Sequence, residues 1–162
     1  MTRPAATRPA AGPAYLSLAS PLGFLTVFED AGAVIALEWG RVDEARPSKL
    51  LDEAKRQLDA YFDGRLKRFD LPLKPAGSRF QQAVWTRMRA IPYGAARTYG
   101  ELAKSLGSVA RAVGGACGKN PIPIVVPCHR VVGQGGRLGG YSGGDGLATK
   151  RALLALEGYL LA

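Results

Sequence analysis

The sequence predicts an α+β protein in which a small β-rich lobe with one helix is followed by a mainly helical domain. Three observations carry that expectation. Three β-forming runs, separated by turn residues, occupy residues 14–39. Capped segments with apolar residues at helical spacing follow from Ser48 onward. Charge divides the same way: residues 1–77 carry 11 Lys+Arg against 10 Asp+Glu, whereas residues 78–162 carry 11 against 3. A chain of 162 residues buries enough surface to fold as one domain, or as two small lobes sharing a core, without a metal or disulfide staple.

Residues 1–12 are rich in Pro and Ala without apolar periodicity and read as a disordered tail. "AYLSLAS", "GFLTVFED" and "AVIALEWG" then form an antiparallel meander, turning at Pro21-Leu22-Gly23 and Asp30-Ala31-Gly32. Ser48 caps the helix "SKLLDEAKRQLDAYFDG", with Leu50, Leu51, Ala54, Leu58 and Phe62 as its apolar stripe and Gly64 at its end. The extended piece and linker "RFDLPLKPAG" closes this first lobe, assigned to residues 13–75. The second domain, residues 76–162, opens on a capping box of Ser78 and Gln81, and Phe80, Val84, Trp85 and Met88 form the stripe of its first helix.

Thr98 and Glu101 repeat the box for "TYGELAKSLG", Gly107 ends that helix, and Ser108 caps "SVARAVGGACGKN". Two short helices joined through a glycine after a leading helix read as a helix-turn-helix. On the second of them Arg111, Gly114, Gly115 and Gly118 share a face, so a long cation rises from a strip nearly bare of side chains. Such a strip suits tight packing against another helix or the close approach of a ligand, and the basic domain favours nucleic acid. Pro121 and Pro123 oppose helix, and Ile124-Val125-Val126 reads as a short buried strand stopped by Pro127. The last amphipathic helix is "LATKRALLALEG".

No apolar stretch approaches the ~20 residues that span a bilayer, and the opening lacks the hydrophobic core of a signal peptide. A soluble, cytoplasmic protein with no membrane partner is expected. Cys117 and Cys128 form no metal pattern, and the chain's one histidine cannot complete a usual zinc site with them, so no metal and two reduced thiols are expected. The loop "GQGGRLGGYSGGDG" has eight glycines in fourteen residues but neither P-loop nor dinucleotide spacing, so no cofactor is expected. It reads as a lid bearing Tyr141 and Ser142.

The stretch "VVPCHRVVG" places the single His129 between Cys128 and Arg130. A free cysteine is ordinarily a small buried residue; neighbouring cations favour its reactive thiolate. On an extended strand adjacent side chains point apart, so a turn or a bridging water is needed to couple Cys128 to His129. An acid behind the imidazole must come from Glu101, Asp145 or Glu157. Glu101 serves as a cap and Asp145 lies in the loop, which leaves Glu157. Cys117 has no such company and reads as a packing residue.

In order, "ARAVGGACGKNPIPIVVPCHRVVG", "GYSGG" and "LLALEG" resemble the DNA repair alkyltransferases, the methylated-DNA–protein-cysteine methyltransferases that act on 6-O-methylguanine. The similarity runs from about Phe80 to Leu161, and the first lobe resembles the family's variable small α/β domain. The resemblance implies an RNase-H-like first lobe and a winged-helix-like helix-turn-helix in the second domain. It implies that Cys128 accepts the alkyl group, that His129 is its water-linked base with Glu157 behind it, and that Asn120 holds the turn before the active strand. Arg111 is expected where the damaged base leaves the stack and Tyr99 near the flipped nucleotide. Val131, Tyr141 and Ser142 are expected at the pocket wall and lid, and Ala110, Gly114 and Gly115 against the minor groove.

The implied partner is double-stranded DNA carrying alkylated bases, met by a monomer, with 4-O-methylthymine as a second candidate lesion and one transfer per molecule. Asp145-Gly146 lengthens the loop relative to the family's shorter form, which bears on lid geometry and alkyl size. The chain has no cysteine-rich N-terminal zinc module of the kind some relatives use for regulation. Two alternatives stand beside this reading: a non-catalytic binder of alkylated DNA, and a cysteine hydrolase using a Cys-His-Glu set.

Overall fold

Period-two alternation makes the meander, and its inward side chains seed the core. The computed structural model describes residues 12–159, so the expected tail lies, but for Gly12, outside the described residues. Strands β1 (Ala14–Ser20), β2 (Gly23–Asp30) and β3 (Ala33–Trp39) form an antiparallel sheet in that order, with Leu18 opposite Leu25 and Val27 opposite Leu37. Those four and Val34 are buried beneath helix α1 (Lys49–Phe62). Ser48 Oγ accepts from Leu51 N at 3.1 Å and fixes where α1 starts. The buried stripe of α1 is rotated from the expected one: Leu51, Ala54, Leu58 and Tyr61 are enclosed, whereas Phe62 is only partly covered.

The segment after α1 protects the sheet edge. Gln57 holds Asp70 through both its amide atoms, and Val34 exchanges hydrogen bonds with Pro72 O (2.8 Å) and Lys74 N (2.9 Å). Further along β3, Leu37 N donates to Pro121 O at 2.9 Å, which ties the sheet to the turn preceding Cys128.

The second half is helical. Both expected capping boxes form, Ser78 with Gln81 on α2 (Arg79–Arg89) and Thr98 with Glu101 on α3 (Tyr99–Leu106). Gly107 closes α3 at φ 66°, a left-handed conformation that glycine adopts without penalty. Helix α4 (Ala110–Gly118) packs on α3, as a helix-turn-helix requires, and Trp85 Nε1 on α2 donates to Ala116 O at 2.9 Å. Ser108 does not cap α4. Val109 occupies the N-cap with no side-chain bond, because Ser108 still belongs to the end of α3, its N–H donating to Ala103 O.

The expected strand at Ile124–Val126 is absent; these residues form tight turns. Three prolines withhold ladder donors, and the remaining N–H groups fold back locally: Val125 to Pro123 O, Val126 to Ile122 O, and Cys128 to Val126 O. Ile124 sits at φ 73°, which is strained for a β-branched residue, yet it is 1 % exposed, so burial and the turn hold it there. A 3-10 turn (Cys128–Arg130) follows, then β5 (Val131–Val132), which pairs in parallel with β4 (Arg97–Thr98). Helix α5 (Leu147–Leu156) ends on Glu157. No helix among the described residues is long and apolar enough to cross a membrane.

Candidate active site

The turn before Cys128 is closed by one side chain. Asn120 Nδ2 donates to Val126 O at 2.7 Å and its Oδ1 accepts from Ile122 N at 3.0 Å, bracketing the residues that cannot form a strand. The 3-10 turn then separates three consecutive side chains. Cys128 faces a cavity, His129 turns inward, and Arg130 reaches Glu157 and Ile91 O.

Glu157 gathers the inward pair. Its Oε2 meets His129 Nε2 at 2.7 Å and accepts from Arg130 Nη2 at 3.0 Å, while Oε1 accepts from Arg130 Nε at 2.8 Å. Burial alone would raise this carboxyl, but the bonds from His129 and Arg130 outweigh it and hold it at about 2. An ionised carboxylate only accepts, so Nε2 carries the imidazole proton. Burial keeps His129 below its ordinary range despite Glu157, so the ring is neutral and Nδ1 holds a lone pair. That Nδ1 is buried and has no hydrogen-bond partner among the described residues.

The cation beside the sulfur is one the sequence reading missed. Arg130 is committed to Glu157, whereas Lys150, wholly buried on α5, sits close enough to Cys128 to favour its thiolate. Lys150 Nζ donates to Val131 O (2.7 Å), Gly140 O (3.0 Å) and Tyr99 Oη (3.3 Å). Burial draws this amine down to about 8, against the pull of the two thiols. The signal was present: Lys150 stands three, four and seven residues before Leu153, Leu154 and Glu157, on the buried stripe of α5. Burial pushes the Cys128 thiol up, while Asn120 and Lys150 pull it down.

The cavity, 570 Å³ in volume, lies between α4 and the lid. Cys128, Tyr99, Arg111, Ala110 and Gly114 line it, with Tyr141 and Ser142 on the lid side. Because Tyr99 Oη accepts from Lys150, its own proton is free to point into the cavity. Gly115 is exposed and outside the cavity, with open space where a Cβ would be, as at Gly118, whereas Gly114 faces the Tyr99 ring of α3. Val131 is fully buried and reaches the site through its carbonyl instead of the cavity wall. Cys117 does more than pack: its sulfur lies 3.5 Å from Met88 Sδ and it lines the same cavity as Cys128.

The Tyr141 hydroxyl is buried and approaches the Cys128 sulfur without meeting hydrogen-bond geometry. The Trp39 indole of β3 fills the space a side chain would need at Gly143, and Thr149 together with the same indole fills it at Gly144. Asp145 and Gly146 form the turn into α5, Asp145 N donating to Thr149 Oγ1 at 2.9 Å and Gly146 N to Gly143 O at 2.9 Å. They lie outside the cavity walls.

Two family models match the chain: the ribonuclease-like domain of 6-O-methylguanine DNA methyltransferase over residues 14–75, and its DNA-binding domain over residues 79–159. A methylated-DNA–protein-cysteine methyltransferase of Mycolicibacterium paratuberculosis is 45% identical over 152 residues, which is 88% of this chain and 91% of that protein. Another, of Methanosarcina acetivorans, is 56% identical over 108 residues, 65% of this chain and 68% of that protein. Among solved structures, Mycobacterium tuberculosis OGT in complex with DNA superposes with TM-score 0.80 at 44% identity, covering 88% of this chain and 91% of that one.

Proposed function

The chain belongs to the 6-O-methylguanine DNA methyltransferase family, and from that premise we propose that it is a DNA repair alkyltransferase whose own Cys128 takes the alkyl group. The observation that carries this reading is the placement of Cys128 in the cavity that Arg111 and the bare face of α4 border, with the neutral His129 and ionised Glu157 behind it. The DNA complex of the Mycobacterium tuberculosis relative supports DNA as the partner.

The lesion oxygen is hidden in a duplex, so the nucleotide is rotated out at a cost of a few kcal/mol, smallest for a poorly paired base. Arg111, exposed at the cavity mouth, fills the gap it leaves. The Cys128 proton passes through a bridging water to the lone pair at His129 Nδ1, and Lys150 favours the thiolate that remains. The sulfur attacks the alkyl carbon in line, an S–C bond forms, the carbon–oxygen bond breaks, and guanine departs as its anion. The Tyr99 proton and the lid around Ser142 stabilise that charge until solvent protonates the base. The thioether has no carbonyl for water to attack, so each molecule reacts once. 4-O-methylthymine is the second lesion this chemistry suits.

Two unpaired thiols fit a reducing cytoplasm, and one chain supplies every group named, which supports a monomer. Intact-mass measurement after incubation with duplex DNA bearing one 6-O-methylguanine tests the reading. The expected gain is one methyl group, on the peptide containing Cys128 and absent in Cys128→Ala. Affinity without added mass would identify a non-catalytic binder and overturn it.

A further inference from the structure

Glu157 has a donor that the alkyl-transfer steps do not call on. The Tyr61 hydroxyl, on α1 of the first lobe, donates to Oε2 at 2.6 Å, the same oxygen that His129 Nε2 meets. The other groups bonded to this carboxylate, His129, Arg130 and the Gly94 amide, all come from the second half of the chain. Tyr61 is wholly enclosed, and its ring lies against Phe62, Phe69 and Tyr93 at centroid distances of 5.2, 5.4 and 6.2 Å, so the hydroxyl cannot swing away.

We propose that Tyr61 is a positioning residue for alkyl transfer: its hydroxyl fixes Glu157 Oε2, and through that oxygen the first lobe sets the orientation and basicity of His129. The proposal rests on the reading that Cys128 is the acceptor and His129 its base. Oε2 is shared among three donors, the Tyr61 hydroxyl, His129 Nε2 and Arg130 Nη2; an oxygen so shared pulls less on each, so the phenol draws charge from Oε2 and lets the imidazole stay neutral. Burial and the adjacent carboxylate keep the phenol protonated, far above its ordinary range, so it remains a donor. The charged and titratable groups facing this pair are few. Arg130 and Lys150 act on His129, and Arg130 acts on Glu157, with Tyr93 alongside.

The chain has one histidine, so its imidazole can be titrated by nitrogen NMR with no assignment problem. Tyr61→Phe is expected to move that titration upward by about half a unit to one unit and, because Glu157 no longer holds the imidazole in one orientation, to slow methyl transfer from duplex DNA about fivefold. Tyr93→Phe is the control, because its hydroxyl donates to Leu156 O at 3.3 Å and not to the carboxylate; it should leave the imidazole unmoved. Incorporating 3-fluorotyrosine at position 61 keeps the shape and strengthens the donor, so the titration should move downward, which preserves the test if Tyr61→Phe does not fold. An imidazole that titrates identically in all of these proteins overturns the proposal, even if thermal stability falls. Wild-type protein that gains no methyl group overturns the acceptor reading instead.

Discussion

Three side chains converge on the two oxygens of Glu157, and this fixes how the protein responds to acid. The carboxyl titrates at about 2 in the folded chain against an ordinary 4.5. The unfolded chain therefore binds the proton first as pH falls, and the stabilisation, about 3 kcal/mol, is complete above pH 4.5 and lost on the way to 2. Glu157→Gln should flatten this limb when urea midpoints are followed from pH 6 to 2, and should also cost about 3–5 kcal/mol at neutral pH by leaving Arg130 buried without its anion. At this scale the sequence was informative about Cys128, His129 and Glu157, because few acids were available to stand behind one imidazole. It was misleading about Arg130, since adjacency in the chain says nothing of direction until the 3-10 turn sends each side chain its own way. Lys150 went unread because a lysine in a helix is ordinarily a solvated residue, and its place on the apolar stripe was the only clue.

Elements were legible where their signals were local. Capping boxes at Ser78 and Thr98 are satisfied within four residues, so spacing alone predicts them. The segment Pro121–Pro127 defeated the same approach: its apolar run suits a buried strand, but missing proline donors and the Asn120 bracket make a turn, and Ile124 takes a conformation that its branched side chain disfavours. Packing between α2 and α4 depends on a bond no local pattern announces, from Trp85 Nε1 to Ala116 O. Trp85→Phe should destabilise the protein by about 1–3 kcal/mol in urea unfolding, because the Ala116 carbonyl keeps only the Lys119 N–H and the buried space of the larger ring is left partly empty, while Cys128 still accepts a methyl group.

Across the whole molecule, the two halves meet at contacts separated by long stretches of chain: Leu37 with Pro121, Tyr61 with Glu157, and Trp39 with the lid glycines. None is visible in a linear reading, which has no term for distance through the fold. The charge division was visible, and it matters for how the duplex is engaged: the second half holds the basic excess and Arg111 stands at the cavity mouth. Arg111→Ala should slow transfer from duplex DNA about tenfold or more, yet leave the reaction with free 6-O-methylguanine within about twofold; equal losses on both substrates would remove its part in base extrusion. The Trp39 contact has an optical consequence. The chain contains two tryptophans, and the other, Trp85, is sealed between helices. Red-edge excitation therefore lights two indoles, of which Trp39 adjoins the glycine loop that carries Tyr141 and Ser142, so a rearrangement at Gly143 is reported in the colour of that ring's emission, with no dye attached.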